Sequence, residues 1–277
     1  MRVVVTGASG FLGGTILRKL IGAGINGEGV SRKKTTGLLQ VERYAESPAG
    51  DVLIHLAEIN NRAHVNELSV EYEHEASSTL HSLLKKGYRK VIYASSSVLY
   101  GDGDCTPHIE SDPVITSDAY TRVKFASEQS VLSCGGGVVR LANIYGPGMA
   151  AENVLSQILG QFDQDGPITL QNTSPVRDFI WVEDAAEAIV KLVTGRAQGV
   201  FNVGTGIGTS IGELARMLLE EVKQPQRQIV SVQTATGPSC IVLDIAKAKQ
   251  DLHWQPSVLL NEGLRRLVSR YKGMGHI

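Results

Sequence analysis

Tyr120 and Lys124 stand four residues apart in Tyr120-Thr121-Arg122-Val123-Lys124, and on a helix that spacing puts two side chains on one face, their Cβ atoms about 5–6 Å apart. The pairing has a chemical use. A phenol ordinarily titrates near pH ~10, and an ammonium held beside it favours the phenolate and brings the group toward the neutral working range. The spacing alone says little: with 8 tyrosines and twelve lysines in 277 residues, chance supplies about 0.35 such pairs. The plainer reading is a surface lysine one turn after a half-buried tyrosine. A second group is Ser95-Ser96-Ser97, which closes the β-rich run Lys90–Ser95. In an open parallel sheet ligands sit at the carboxyl ends of strands, although an isolated serine triplet is more often a turn or a cap.

The elements that must position these groups begin at the first residues. Val3–Thr6 is a β-branched run without alternation, as in a strand buried on both faces. It runs into Gly7-Ala8-Ser9-Gly10-Phe11-Leu12-Gly13 and a helical pattern over Phe11–Ile21. Strand, glycine turn and helix in that order open a dinucleotide-binding βαβ unit. The glycines let backbone N–H groups approach a pyrophosphate at a helix N-terminus, where the dipole favours an anion. A next strand is expected over Gly27–Ser31, where an acidic residue at the end would bind the ribose 2′-OH of NAD. Ser31-Arg32-Lys33-Lys34 stands there instead. A hydroxyl and a guanidinium suit a 2′-phosphate, so NADP(H) is favoured, with NAD(H) still possible and a solvated basic loop the plainer alternative.

Further along, residues 35–50 leave room for one short strand, Leu39–Tyr44, before the strand Val52–Leu56. A helix is expected within 66–86 and another over Asp118–Cys134, stopped by Gly135-Gly136-Gly137. Val138–Leu141 reads as a further buried strand. Beyond it the alternation loosens: helices are expected over Asn153–Phe162, Glu183–Val193, Ile211–Val222 and Leu264–Tyr271, with extended segments at 177–182 and 201–204 and a loop at Thr234–Ser239. Ser210-Ile211-Gly212-Glu213 is a capping box. The expected class is α/β, a Rossmann doubly wound parallel sheet over 1–148 with parts of 175–205. A smaller substrate-binding α/β lobe is expected over 149–277.

Composition excludes several classes. Hydrophobic residues make up 42% and the net charge is −1, so no electrostatic footprint for nucleic acid or anionic membrane is present. No apolar run approaches the ~20 residues of a membrane span, and the opening Met1–Gly7 has no signal-peptide character. Cys105, Cys134 and Cys240 are odd in number and widely spaced, which points to a reducing compartment and against a disulfide framework or zinc site. His55 fits a core strand, and the remaining histidines show no metal spacing. A cytoplasmic protein without a metal is expected.

Taken together, the motifs resemble the extended short-chain dehydrogenase/reductase superfamily, in its nucleotide-sugar epimerase/dehydratase/reductase branch. The resemblance runs nearly end to end: Thr6–Gly13, His55-Leu56-Ala57, Ser95–Gly101, Tyr120/Lys124, Arg140–Gly148, Arg177–Asp184, Phe201–Gly206 and Asp244–Lys249. It implies that Gly7, Gly10, Phe11, Leu12 and Gly13 form the pyrophosphate turn, and that Leu56, Ala57 and Ile144 line the cofactor path. Ser96, four residues before Tyr100, is then the catalytic hydroxyl, Tyr120 the acid/base, and Lys124 the group that holds the nicotinamide ribose. Ser96, Ser97, Asn143 and Arg177 would meet the nucleotide-sugar, and a homodimer is expected.

Departures narrow the chemistry. The acidic residue after the third strand and the usual asparagine in the helix before Lys90–Ser95 have no clear counterpart. Where 4,6-dehydratases carry an Asp-Glu pair, Ser97 and Val98 stand; losing that general acid removes about 10²–10⁴ in rate. The expected activity is hydride transfer at a sugar carbinol or keto carbon, with a 4-keto (6-deoxy) nucleotide-sugar reductase favoured. A 4-epimerase with tightly held cofactor and a catalytically silent NADP(H)-binding sensor are the alternatives.

Overall fold

The computed structural model describes residues 1–233 and 237–273. Residues 234–236 of the expected Thr234–Ser239 loop, and His276, lie outside the described residues. The chain opens with β1 (Arg2–Thr6), α1 (Phe11–Gly22), β2 (Asn26–Ser31), the two-residue β3 (Leu39–Gln40) and β4 (Val52–His55). Next come α2 (Arg62–Leu68), α3 (Val70–Leu84), β5 (Lys90–Ser96), α4 (Ala119–Ser133) and β6 (Gly137–Leu141). These strands and a later one, Gly199–Val203, form a seven-stranded sheet in the order Gly199–Val203, β6, β5, β4, β1, β2, β3, every pair parallel. Its central strands are buried along their lengths, which is why they read as apolar runs without alternation. From β1 the chain builds outward through β2 and β3, then crosses back to β4 on the other side. That reversal opens a crevice at the carboxyl ends of β1 and β4, where open α/β sheets bind ligands.

The remaining elements are β7 (Asn143–Tyr145), α5 (Val154–Leu159), β8 (Ile168–Leu170), β9 (Val176–Trp181), α6 (Val182–Thr194) and β10 (Gly199–Val203). They are followed by β11 (Gly208–Ser210), α7 (Ile211–Glu221), β12 (Ile229–Ser231), β13 (Cys240–Ile241), α8 (Ala246–Leu252) and α9 (Leu260–Gly273). β9 pairs with β7, β11 and β13, while β8 pairs with β12. A second apolar cluster gathers here around Tyr145, Leu155, Phe179, Trp181, Leu214, Leu218 and Leu264. The late motifs meet at a buried carboxylate: Asp178 on β9 accepts hydrogen bonds from the Thr205 N–H (2.8 Å), the Thr205 hydroxyl (2.6 Å) and the Gly206 N–H (3.0 Å). One side chain thus anchors the loop after β10.

The helix expected within 66–86 is α3, Val70–Leu84, and Ser69 at φ +48° separates it from the shorter α2. The expectation for the cysteines is corrected. They do not all stay free: Cys105 and Cys240, 135 positions apart in the sequence, form a disulfide with Cα atoms 5.2 Å apart. The segment after Tyr100 folds back along β13, with the Gly103 N–H bonded to the Cys240 carbonyl and the His108 N–H to that of Val242. This chain reversal brings the two thiols together, and their sequence separation gave no sign of it. Cys134 is free.

Candidate active site

α4 carries the central residues, and its sequence fixes where it starts. Asp118 caps it, accepting the Thr121 N–H at 2.9 Å, while the Thr121 hydroxyl receives the Asp118 N–H at 3.2 Å; such a cap is worth about 1 kcal/mol. α2 docks on the same end. Arg62 and Asn66 bond the Asp118 carboxylate, and the Asn66 side-chain oxygen accepts the Tyr120 N–H at 3.1 Å.

The buried face of α4 runs Tyr120, Lys124, Ser127, Glu128, Val131. Polar groups on a buried stripe cost several kcal/mol unless paired, and Lys124, Ser127 and Glu128 are each paired. Glu128 receives two hydrogen bonds from Arg140 (3.0 and 2.7 Å). The Lys124 ammonium lies 3.1 Å from a Glu58 oxygen, donates to the Ala94 carbonyl of β5 at 3.2 Å, and sits 5.9 Å from the centre of the Tyr120 ring. Glu58 also accepts the hydroxyls of Ser127 (2.6 Å) and Tyr93. The ion pair is secluded, with side-chain exposures of 8% for Lys124 and 4% for Glu58. Burial is the largest single influence on both groups and opposes their ionisation, yet the opposite charge and the surrounding hydrogen bonds together outweigh it. Glu58 is held below the usual carboxylate range and Lys124 above the usual ammonium value.

Ser96 ends β5, two residues beyond the carbonyl that Lys124 touches, and its hydroxyl accepts the Val98 N–H at 3.3 Å. Its own proton is thereby left to donate elsewhere. Val98 and Tyr120 pack in one cluster, so the serine turn and the tyrosine helix share a wall. Ser97 is buried beneath it.

At the crevice between β1 and β4 the glycine turn fits a dinucleotide. Gly7 adopts φ +74°, and a Cβ there would lie 3.0 Å from the Leu56 carbonyl; one on Gly13 would lie 2.3 Å from the Gly7 carbonyl. The N-cap Gly10 carries no side chain to satisfy the first N–H groups of α1, which leaves the donors of Phe11, Leu12 and Gly13 for an anion. Leu56 and Ala57 continue from β4 beside this turn and stay half-buried, as does Ile144 on β7. Ser31 is fully buried and bonds Ser9 of the turn at 2.8 Å. Arg32 is exposed, with its guanidinium 3.8 Å from Glu75 and over the Tyr44 ring at 5.3 Å. These groups share a small cavity with His55, Ala57, Glu58 and Tyr72.

Asn143 and Arg177 line one cavity of about 430 Å³ together with Asn153, Gln157, Asn172 and Ile211. The Arg177 guanidinium is already engaged, donating to the Ser239 hydroxyl (2.9 Å) and carbonyl (3.1 Å) and pairing with Asp102 at 3.0 Å. Among the described residues no cluster of metal-ligating side chains occurs, and no helix is long and apolar enough to cross a membrane.

The model for the NAD dependent epimerase/dehydratase family matches residues 3–204. The chain belongs to that family. Family members work with a nicotinamide dinucleotide, and the protein is an enzyme of this group. It is 27% identical to UDP-glucuronic acid decarboxylase 1 of Arabidopsis thaliana over 304 residues, covering 98% of this chain and 70% of that protein. It is also 27% identical to dTDP-4-dehydro-6-deoxyglucose reductase of Escherichia coli over 201 residues, 68% of this chain and 63% of that one. Its fold superposes on a UDP-glucose 4-epimerase of Thermotoga maritima, solved with UDP-glucose, at a TM-score of 0.88 and 23% identity over 99% of both chains. The extended short-chain dehydrogenase/reductase architecture expected from the motifs is the one found.

Sequence reasoning passed over two residues here. Glu58 directly follows His55-Leu56-Ala57, and an acidic residue at the end of a buried strand was the available signal. Asn66 left none, since its bond to Tyr120 depends on where α2 docks.

Proposed function

We propose that the protein reduces a 4-keto (6-deoxy) nucleotide-sugar with NADPH, using Tyr120 as the proton donor. The observation that carries this reading is the placement of Lys124 between the Tyr120 ring and the Ala94 carbonyl, at the carboxyl end of the strand that ends in Ser96. When bound, the nicotinamide supplies hydride to the carbonyl carbon and leaves oxidised. Gly7, Gly10, Phe11, Leu12 and Gly13 hold its pyrophosphate, and Ser31 and Arg32 receive the 2′-phosphate, for which Arg32 exchanges Glu75. The Ser96 hydroxyl donates to the sugar oxygen and orients it. Tyr120 passes its phenolic proton to that oxygen as the carbonyl becomes an alcohol. Asn143 and Arg177 hold the nucleotide and diphosphate in the cavity they line, with the phosphates taking over guanidinium donors from Asp102.

Reduction is favoured over epimerisation by Arg32, which stands at the end of β2 where an acidic residue would bind the ribose of NAD and so suits an NADP cosubstrate that is consumed and exchanged. The reductase relative is consistent with this, while the epimerase-like fold leaves the reaction open. Two homology-based expectations complete the reading: a homodimer and a cytoplasmic location. The lobe division near residue 148 belongs to the same proposal. The test is the cofactor state of the purified protein, released with acid, identified and quantified. A largely empty site that binds NADPH reversibly, and NADH much more weakly, supports the reductase. Near-stoichiometric, non-exchanging NAD points to an epimerase that recycles its hydride.

A further inference from the structure

A buried ion pair beside an acid/base residue calls for a reason, because a well-packed apolar pair of similar volume is often as stable or more so. Glu58 extends from the end of β4 into a pocket closed by Tyr93 of β5 and Ser127 of α4, and all three of its partners turn toward its carboxylate. It spends no hydrogen bond on backbone and caps no helix among the bonds described. Its contacts converge on Lys124, whose remaining N–H groups face the Ala94 carbonyl and the site.

We propose that Glu58 is a positioning residue acting through Lys124: it fixes the ammonium against the Ala94 carbonyl and offsets its charge, so that without Glu58 an unbalanced cation faces the Tyr120 phenol. The inference rests on the reductive reading, because carbonyl reduction needs the phenol as an acid, whereas a reaction that begins by oxidising an alcohol needs the phenolate as a base. A lone ammonium drives a neighbouring phenol toward phenolate. A carboxylate paired with the same ammonium, as Glu58 is, opposes that forming negative charge. The other titratable groups facing the pair are His55 from β4, Tyr72 from α3, Tyr93 from β5, and Tyr120 and Glu128 from α4, together with Arg32, Tyr44 and Glu75, which share the cavity with Glu58 and among which Arg32 and Glu75 pair with each other. Burial holds His55 neutral down to about 4, and Glu128 is matched by Arg140. Glu58 is therefore the negative charge left to balance Lys124.

The test is an ultraviolet difference titration of tyrosinate on the protein without substrate. Wild type, Glu58→Gln and Glu58→Asp are each compared with the same background carrying Tyr120→Phe, so that the difference reports Tyr120 alone. Glu58→Gln is expected to move the Tyr120 titration down by about one pH unit. Glu58→Asp, which keeps the charge but draws it back from Lys124, should move it less in the same direction. The alkaline limb of the kcat profile for reduction should follow the same shifts. If Glu58→Gln does not fold, the Glu58→Asp titration decides. A titration that stays put, or moves upward, overturns the role of Glu58. Because no substrate is present, that failure is distinct from failure of the reductase reading, which would show as absent turnover with the titration shift intact.

Discussion

The Lys124 ammonium sits 3.1 Å from Glu58 and 5.9 Å from the centre of the Tyr120 ring, so one buried cation serves both a carboxylate and a phenol. Lys124→Met should therefore do more than weaken cofactor binding. It leaves Glu58 buried without a counter-charge, a loss of about 3–5 kcal/mol at neutral pH. In the wild type Glu58 titrates below its unfolded value, so its contribution is present above the carboxylate range and fades as pH falls. In the variant an unpaired Glu58 is raised instead, and its contribution is lost as pH rises. Urea denaturation at pH 4 and pH 7 checks this: the destabilisation should be clearly larger at pH 7.

Tyr120→Phe keeps the ring and the packing with Val98 but removes the proton donor. Turnover should fall by about 10²–10⁴-fold, with the dissociation constant for NADPH, followed by fluorescence quenching, changed by less than threefold or so. Turnover near the wild-type level would move the acid/base function to another group.

Arg32→Ala should weaken NADPH by roughly tenfold or more, since a charge-assisted phosphate contact is worth about 1.5–3 kcal/mol, and leave NADH nearly unchanged. Isothermal titration with both cofactors checks this. Equal losses would make Arg32 a charged loop residue whose partners are Glu75 and Tyr44 alone.

His55 predicts an acid limb in stability. Burial is the main cause that lowers its pKa to about 4, the nearby Lys124 adds to this, and Glu58 pulls the other way. The folded state then binds fewer protons than the unfolded one between about pH 6.5 and 4. Stability is complete above that window and falls through it, by roughly 3 kcal/mol at most. His55→Asn should flatten the slope of unfolding free energy against pH there, and an unchanged slope would assign the acid limb to carboxylates.

What could be read from the sequence was local. The glycine turn, the Tyr120/Lys124 pair and the Asp118–Thr121 end of α4 involve residues a few positions apart, where chain geometry alone dictates who meets whom. The buried strands were legible because parallel sheets covered on both faces need continuous apolar runs. Glu58 and Lys124, Asp178 and Thr205, and Cys105 and Cys240 meet through sheet crossovers and chain reversals. No local pattern encodes such meetings. The start of α3 was left open for a different reason: a serine at positive φ, as Ser69 is, has no sequence mark.

Hydride delivery from NADPH to a sugar carbonyl is the defining step of the proposed reaction. It is tested most directly by giving the enzyme a 4-keto-6-deoxy nucleotide-sugar together with NADPH carrying deuterium at both hydrogens of the nicotinamide C4, and reading the product by mass spectrometry and NMR. One deuterium at sugar C4 and one equivalent of NADP⁺ formed per sugar reduced are expected, both appearing about 10²–10⁴-fold more slowly in Tyr120→Phe. A sugar returned without deuterium and without net oxidation of NADPH would contradict hydride delivery.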